Sequence, residues 1–434
     1  MNSDRFTEVT HTSYGQNIGN SFKGIFVGIL LLIGSIILLW WNEGRSVEQA
    51  TALNEMNEKI TTLPDTRYNV KHEEQAVLVQ GLVKPLSEVF DPEFGVRTDG
   101  LVLRKTAQMY QWKENTSSKS EDKLGGGTET VTTYTYVKEW SSMQIDSSSF
   151  KRPSGHQNPM MNHKSQTYTT DAQLGDFHLD RSMVSNIGAS QSYHGLAELP
   201  EQIGLAKNYK SFLYIGEFPN TPKVGDVKIT YSYAPSAIYT YAAKEQGKSL
   251  TPYVTGNGKS FVFVRSGKVA AQTIFKEELD ANAALTWILR GVGLLLMFIA
   301  FSMMMGIIAT FAKVIPMLGS LVGGVTSVIA GALTLVLGSV IIALAWFSSR
   351  PLMSLMIIAV GIGIAVLLGK FGKKKQGVPA GERASSSSQS REESTTPPPR
   401  SAATPPQREA TTPVTGDEDP ATSEEHTQTP PPRR

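Results

Sequence analysis

Hydrophobic positions in this chain gather into four long blocks, and polar positions fill the stretches between them. The first block, Gly24 to Trp41 (GIFVGILLLIGSIILLWW), runs for 18 residues without a charge. At 1.5 Å per residue it makes a helix of roughly 27 Å, about one hydrocarbon core. Three further blocks, Val292 to Ala309, Leu321 to Trp346 and Pro351 to Gly369, crowd the C-terminal third, joined by connections too short to fold alone. The predicted fold is a membrane protein. Four transmembrane α-helices, one plus three, flank a large, mostly β (α+β) domain, and a disordered tail follows.

A cleaved signal peptide competes as a reading of the first block. Its apolar core would be shorter and would end in small residues, whereas Trp40-Trp41-Asn42-Glu43-Gly44-Arg45 follows here, so an uncleaved anchor accounts for it better. The paired tryptophans fall where an aromatic belt meets the headgroups. Gly24/Gly28, Gly319/Gly323 and Ala330/Gly331/Gly338 offer small surfaces for close helix approach, although glycine is also simply common in membrane helices. Lys370, Lys373, Lys374 and Lys375 directly follow the last block, against Arg350 alone in the preceding turn, which places the C-terminal side in the cytoplasm. Arg290, at the outer mouth of the second span, can snorkel to the headgroups. The expected plan is a short cytoplasmic segment 1–23, spans at 24–41, 292–309, 321–346 and 351–369, an extracytoplasmic or lumenal β-rich domain over 42–289, and a cytoplasmic tail over 376–434.

Between the first two spans the periodicity changes. Val47 to Ile60 has helical spacing and good helix formers, so the first span is expected to continue as an amphipathic helix. After Pro64, the segments Ala76 to Val83, Leu101 to Trp112, Thr128 to Trp140, Asp226 to Tyr233 and Ser260 to Arg265 cluster β-branched and aromatic residues between turn signals. Gly125-Gly126-Gly127 reads as a long hairpin loop. From Gln376 onward there is no Phe, Trp, Tyr, Ile, Leu or Met, so that segment cannot bury a core. Its proline runs would sample polyproline II, as spacer or as ligand for aromatic grooves.

Composition narrows the chemistry. A net charge of +2 over 434 residues gives no whole-chain sign of nucleic-acid binding, and the absence of cysteine excludes disulfides and thiolate chemistry. Gly256-Asn257-Gly258-Lys259-Ser260 has the look of the end of a P-loop. Tyr253 stands where the first glycine belongs, and a strand-like run follows instead of a helix, so a hairpin turn is the better reading. His156, His163, His178 and His194 lack metal-ligand spacing, and no nucleophile elbow or kinase signature occurs. Charges are nearly absent inside the spans, which argues against an ion pathway through the bundle. No catalytic, cofactor-binding or metal-binding residue is therefore assigned, and no cofactor is expected.

Motifs in fixed order along the chain carry a resemblance. They are Asn42-Glu43-Gly44-Arg45 with Thr51-Ala52, Arg104 with Met109-Tyr110-Gln111-Trp112, Tyr134 and Tyr136 with Glu139-Trp140, Gly155-His156 with Asn158-Pro159, Val224-Gly225-Asp226 with Tyr231-Ser232-Tyr233, and Thr286-Trp287. Together they cover roughly residues 20 to 370, and the chain resembles the transmembrane protein 43 (LUMA) family. The resemblance implies four spans around a large hydrophilic domain. In animal members it implies a place in the endoplasmic reticulum and inner nuclear membrane, and a role in membrane organisation through partner proteins and self-association, with no enzymatic activity. The lack of cysteine departs from the animal members and points to a bacterial inner membrane, where only the architecture transfers.

The leading expectation is a non-enzymatic membrane organiser or scaffold, with membrane lipids, envelope proteins and further copies of itself as partners and no nucleic acid. A transport or lipid-handling protein is the alternative, and an enzyme with its site among His156, Asp171, Asp176 and His178 is a third. The candidate site residues are Asn42, Glu43, Gly44 and Arg45. Two readings of them stay open: a headgroup anchor that ends the first span, or a docking point where the soluble domain or the Arg290 region meets the first helix through charge pairing.

Overall fold

The computed structural model describes residues 4–346 and, beyond them, positions 356, 359–364 and 366. Most of the fourth expected span, and all of the expected tail, lie outside the described residues. Three helices among the described residues are long and apolar enough to cross a membrane.

Helix α1 runs from Tyr14 to Lys59, 46 residues without a break. A capping box starts it: the Ser13 hydroxyl accepts from the Gln16 amide, and the Gln16 side chain accepts from the Ser13 amide at 2.9 Å. The apolar block is only its middle, and the helical spacing read after Arg45 carries it on to Lys59. Helices α2 (Ala271–Ala312) and α3 (Pro316–Trp346) follow. The second block is likewise only part of its helix, which starts 21 residues before Val292 in mixed polar and apolar sequence.

Helices α1 and α2 pack antiparallel. Ser21 meets Thr310 at 2.7 Å near one end, and Asn42 donates to the Thr286 carbonyl at 3.1 Å near the other. A Cβ at Gly28 would lie 2.9 Å from the Ala300 carbonyl, and one at Gly293 would lie 2.6 Å from Leu39, so glycine permits both approaches. Helix α3 adds Ala330, which is buried, and Gly338, which abuts Leu294. Of the small residues singled out in the sequence, Gly28, Ala330 and Gly338 serve close packing, whereas Gly323 faces open space. Gly293 does the same work and carried no sequence signal beyond being a glycine.

The β region holds two main sheets. Strands β1 (Arg5–Thr12), β2 (Ala76–Pro85), β3 (Val102–Asp122), β4 (Thr128–Ser141), β5 (Val227–Ala234) and β6 (Ala237–Gln246) supply most of them. One sheet runs β1-β4-β3-β5 and continues through three short strands between Gln202 and Ile215. In the other, β2 pairs with β6, and the short strands Ala172–Leu174, Phe177–Leu179 and Ser249–Thr251 close the pairing into a ring. Alternation along β2 assigns its two faces. Val77 and Val79 point into the ring with Phe177, Leu179 and Tyr241. Ala76 and Leu78 point outward against Ala52, Leu53 and Met56 of α1 and Ile274 and Phe275 of α2. The membrane helices therefore run on into the core of the soluble domain.

Two sequence expectations change. The segment before the first span is not separate from the β domain: β1 pairs residue for residue with β4, from Arg5 opposite Thr135 to Thr12 opposite Thr128. Thr7, Val9, Thr10 and Thr12 give it strand propensity that a short polar segment hides. The leading β-hairpin is also longer than its hydrophobic pattern, because β3 continues ten residues past Trp112 through polar sequence. Gly125 and Gly126, at φ +88° and +83°, turn the chain at its tip.

Candidate functional site

Where α1 leaves the apolar block, Asn42, Glu43 and Ser46 share a face with helical spacing. Asn282, Thr286 and Arg290, each four residues from the next, form the matching face of α2. Glu43 is fully buried and Arg290 is 9% exposed. The guanidinium donates to both carboxylate oxygens, Nε to Oε1 at 2.6 Å and an Nη to Oε2 at 2.7 Å, a bidentate pair. Arg45 donates to Asn282 Oδ1 at 3.0 Å and to the Thr286 hydroxyl at 3.1 Å. Asn282 in turn donates to the Ser46 carbonyl at 3.0 Å, and the Ser46 and Thr286 hydroxyls meet at 2.8 Å. The Arg290 guanidinium also lies 4.6 Å from the centre of the exposed Trp287 ring.

Three of the four candidate residues, Asn42, Glu43 and Arg45, are thus brought together, and Gly44 points into open space. Arg290 does not snorkel. Facing Glu43 across a close helix pair, it gains two charge-assisted hydrogen bonds that headgroup water would otherwise have to replace. Sequence reading missed Ser46, Asn282 and Thr286 as members of this knot. The signal that would have found them is the polar i, i+4, i+8 series 282-286-290 on a helix heading into the membrane.

The residues considered for an enzyme do not converge. His156 is buried between Tyr136, which stacks on it at 3.9 Å, and Trp112, with Asp4 at 3.6 Å. Asp171 faces Arg181, Asp176 accepts from the Tyr68 amide, and His178 sits on a short strand of the ring. Among the described residues no three His, Cys, Asp or Glu side chains group as metal ligands would.

A second buried charged cluster lies in the larger sheet. Asp91, fully buried, accepts from the Tyr168 hydroxyl at 2.7 Å and the Tyr231 hydroxyl at 2.5 Å. Lys105 lies 3.6 Å from Asp91 and bonds Glu93, which also meets His163. Burial disfavours the charge on Lys105, but Glu93, Tyr168 and Asp91 outweigh it and hold the ammonium above its ordinary range. Burial opposes the charge on Glu93 too, and Lys105 and His163 outweigh it, lowering that carboxyl. The cluster ties the hairpin Val89–Asp91/Val96–Thr98 to β3 and β5.

A family model described as Transmembrane protein 43 matches residues 109–351. Transmembrane protein 43 of Mus musculus is 30% identical over 367 residues, 81% of this chain and 91% of the mouse protein. The chain belongs to the transmembrane protein 43 family. The Homo sapiens protein is 29% identical over 79% of this chain and 88% of its own length, and the Drosophila melanogaster homolog 27% over 80% and 95%. No solved structure matches. The matched region of the transmembrane protein 43 model takes in the hairpin beyond Met109, the α2 half of the knot and helix α3.

Proposed function

We propose that this member of the transmembrane protein 43 family is a non-enzymatic membrane organiser whose β domain, held outside the cytoplasm, meets protein partners and further copies of the chain. The Glu43–Arg290 knot carries this reading. It fixes α1 to α2 at the point where both helices pass from apolar block to β domain, and α1 then enters the domain core without a hinge. Such a joint transmits position from domain to membrane, which an anchor on a flexible tether does not. The cationic Lys370 to Lys375 run supports a cytoplasmic C-terminal side. Replacing Glu43 and Arg45 together by Ala should leave membrane insertion intact while reducing chemical crosslinking between protomers and co-purification of envelope proteins. Crosslinking equal to that of the unaltered chain would sink the docking role of this site.

A further inference from the structure

The hairpin β3–β4, with β1 along its edge, reaches the end of the helix pair opposite to the knot. Its ladder is unbroken from Met109 opposite Ser141 to Asp122 opposite Thr128. At the tip, Asn17 of α1 donates to the Gly126 carbonyl at 2.9 Å and to the Thr128 hydroxyl at 3.0 Å. Lys313, just past α2, pairs with Asp122 at 3.0 Å, and the Gly125 amide donates to the Val314 carbonyl. The dimensions agree. From Asn17 to Glu43, α1 rises roughly 39 Å at 1.5 Å per residue. From Trp112 to Asp122, β3 extends roughly 33 Å at 3.3 Å per residue. The apolar face of α1, with Phe26, Leu30, Ile33 and Ile37 exposed, lies between those two levels.

Over the same levels the ribbon is polar on both faces. Asn115 to Glu121 are exposed one after another, Ser118 and Ser120 pair with Thr132 and Thr130, and Lys119 pairs with Glu121. The ribbon also has two open strand edges, one on β1 and one on the outer part of β3. Such a surface cannot lie against lipid chains, because hydrocarbon would leave its edge amides and carbonyls without hydrogen-bond partners. Backbone of this kind is tolerated at membrane depth only inside protein or along a water-filled space.

We propose that the β1–β4–β3 ribbon crosses the thickness of the membrane beside α1 and α2 along a water-filled cleft that keeps it from the lipid chains. The ribbon tip, Asp122 to Gly127, then faces the compartment opposite to the β domain, together with Lys313. One continuous sheet thereby presents surfaces on both sides of the membrane. The residues before α1 start on the domain side, where the Tyr136 amide donates to the Asp4 carbonyl, and reach the far side only at Thr12. This goes beyond the organiser reading and does not depend on it.

The cysteine-free chain makes the test direct. Leu124→Cys marks the tip and Leu205→Cys the β domain; these side chains are 86% and 82% exposed, so neither change threatens the fold. In sealed vesicles of one orientation, an impermeant maleimide added outside should label one of the two variants and spare the other until the vesicles are permeabilised. Both labelled, or both spared, places tip and domain on one side and overturns the proposal. Ser118→Cys, midway along the ribbon, should react with the same reagent once the membrane is opened to it without dissolving it. A Ser118→Cys that reacts only in detergent would show that the cleft holds no water, and would equally overturn it.

Discussion

The two ends of the α1–α2 pair are joined in opposite ways. At the domain end a carboxylate and a guanidinium are buried together, and beside them Asn42, Arg45, Ser46, Asn282 and Thr286 hydrogen-bond one another across the same helix pair. At the far end, beside the Ser21–Thr310 contact between the helices, the ribbon tip is fastened by one amide side chain, one partly exposed ion pair and one backbone contact. The first joint holds desolvated charges in a bidentate pair. The second can part and be solvated. A buried pair is costly to halve, whereas an exposed pair is worth about 0–1 kcal/mol.

The largest expected effect therefore comes from halving the buried pair. Glu43→Ala leaves the Arg290 guanidinium without its carboxylate and should cost about 3–5 kcal/mol, read as a lowered thermal midpoint of the detergent-solubilised protein. Glu43→Leu with Arg290→Met removes both charges and should recover most of that loss, because apolar replacements of similar volume are often neutral. Arg290→Lys keeps the charge but not the fork, and should fall between them. A double variant as unstable as Glu43→Ala would mean that the knot holds through something other than paired charge.

A smaller effect, confined to the β domain, should follow pH through the Lys105 cluster. Glu93 has a lowered carboxyl, so its contribution is present above the unfolded-state value and is lost as pH falls through the folded one. Lys105 is raised, so its contribution holds below the unfolded-state value and fades as pH climbs through its folded one. Stability of the hairpin Val89–Asp91/Val96–Thr98, followed by hydrogen exchange of its amides, should accordingly be flat near neutrality and decline on both flanks. Glu93→Gln should flatten the acidic flank. An acidic flank as steep in Glu93→Gln as in the unaltered chain would assign it to another group.

The two ends also differ in how legible they were from sequence. Apolar blocks, the 3.6-residue spacing after Arg45 and the alternation of Ala76 to Val83 state their elements outright, because each buries one face and the pattern must show it. Glu43 and Arg290 could be suspected, since charges at the edge of apolar blocks need an explanation. Their pairing stood as one of two open readings, because choosing it depends on two residues 247 positions apart, on separate helices, meeting in one register. The ribbon was the least visible feature. Polar on both faces from Asn115 to Glu121, it lacks the one-sided alternation that marks a strand, and β1 has no apolar face at all. Its strands are specified by the β-hairpin turn and by each other, not by a core.

The smallest expected effect lies at the ribbon tip. Asn17→Ala removes two hydrogen bonds and Lys313→Ala one half-exposed ion pair, so together they should shift the thermal midpoint little, by the equivalent of about 1–2 kcal/mol. The local consequence is larger than the global one. Tip amides from Lys123 to Gly127 should lose hydrogen-exchange protection, while the amides flanking Glu43 and Arg290 keep theirs, because opening the tip exposes no buried charge. Protection lost at both ends together would show that the helix pair and the ribbon open as one cooperative unit, and would erase the contrast between a fixed joint and a releasable one.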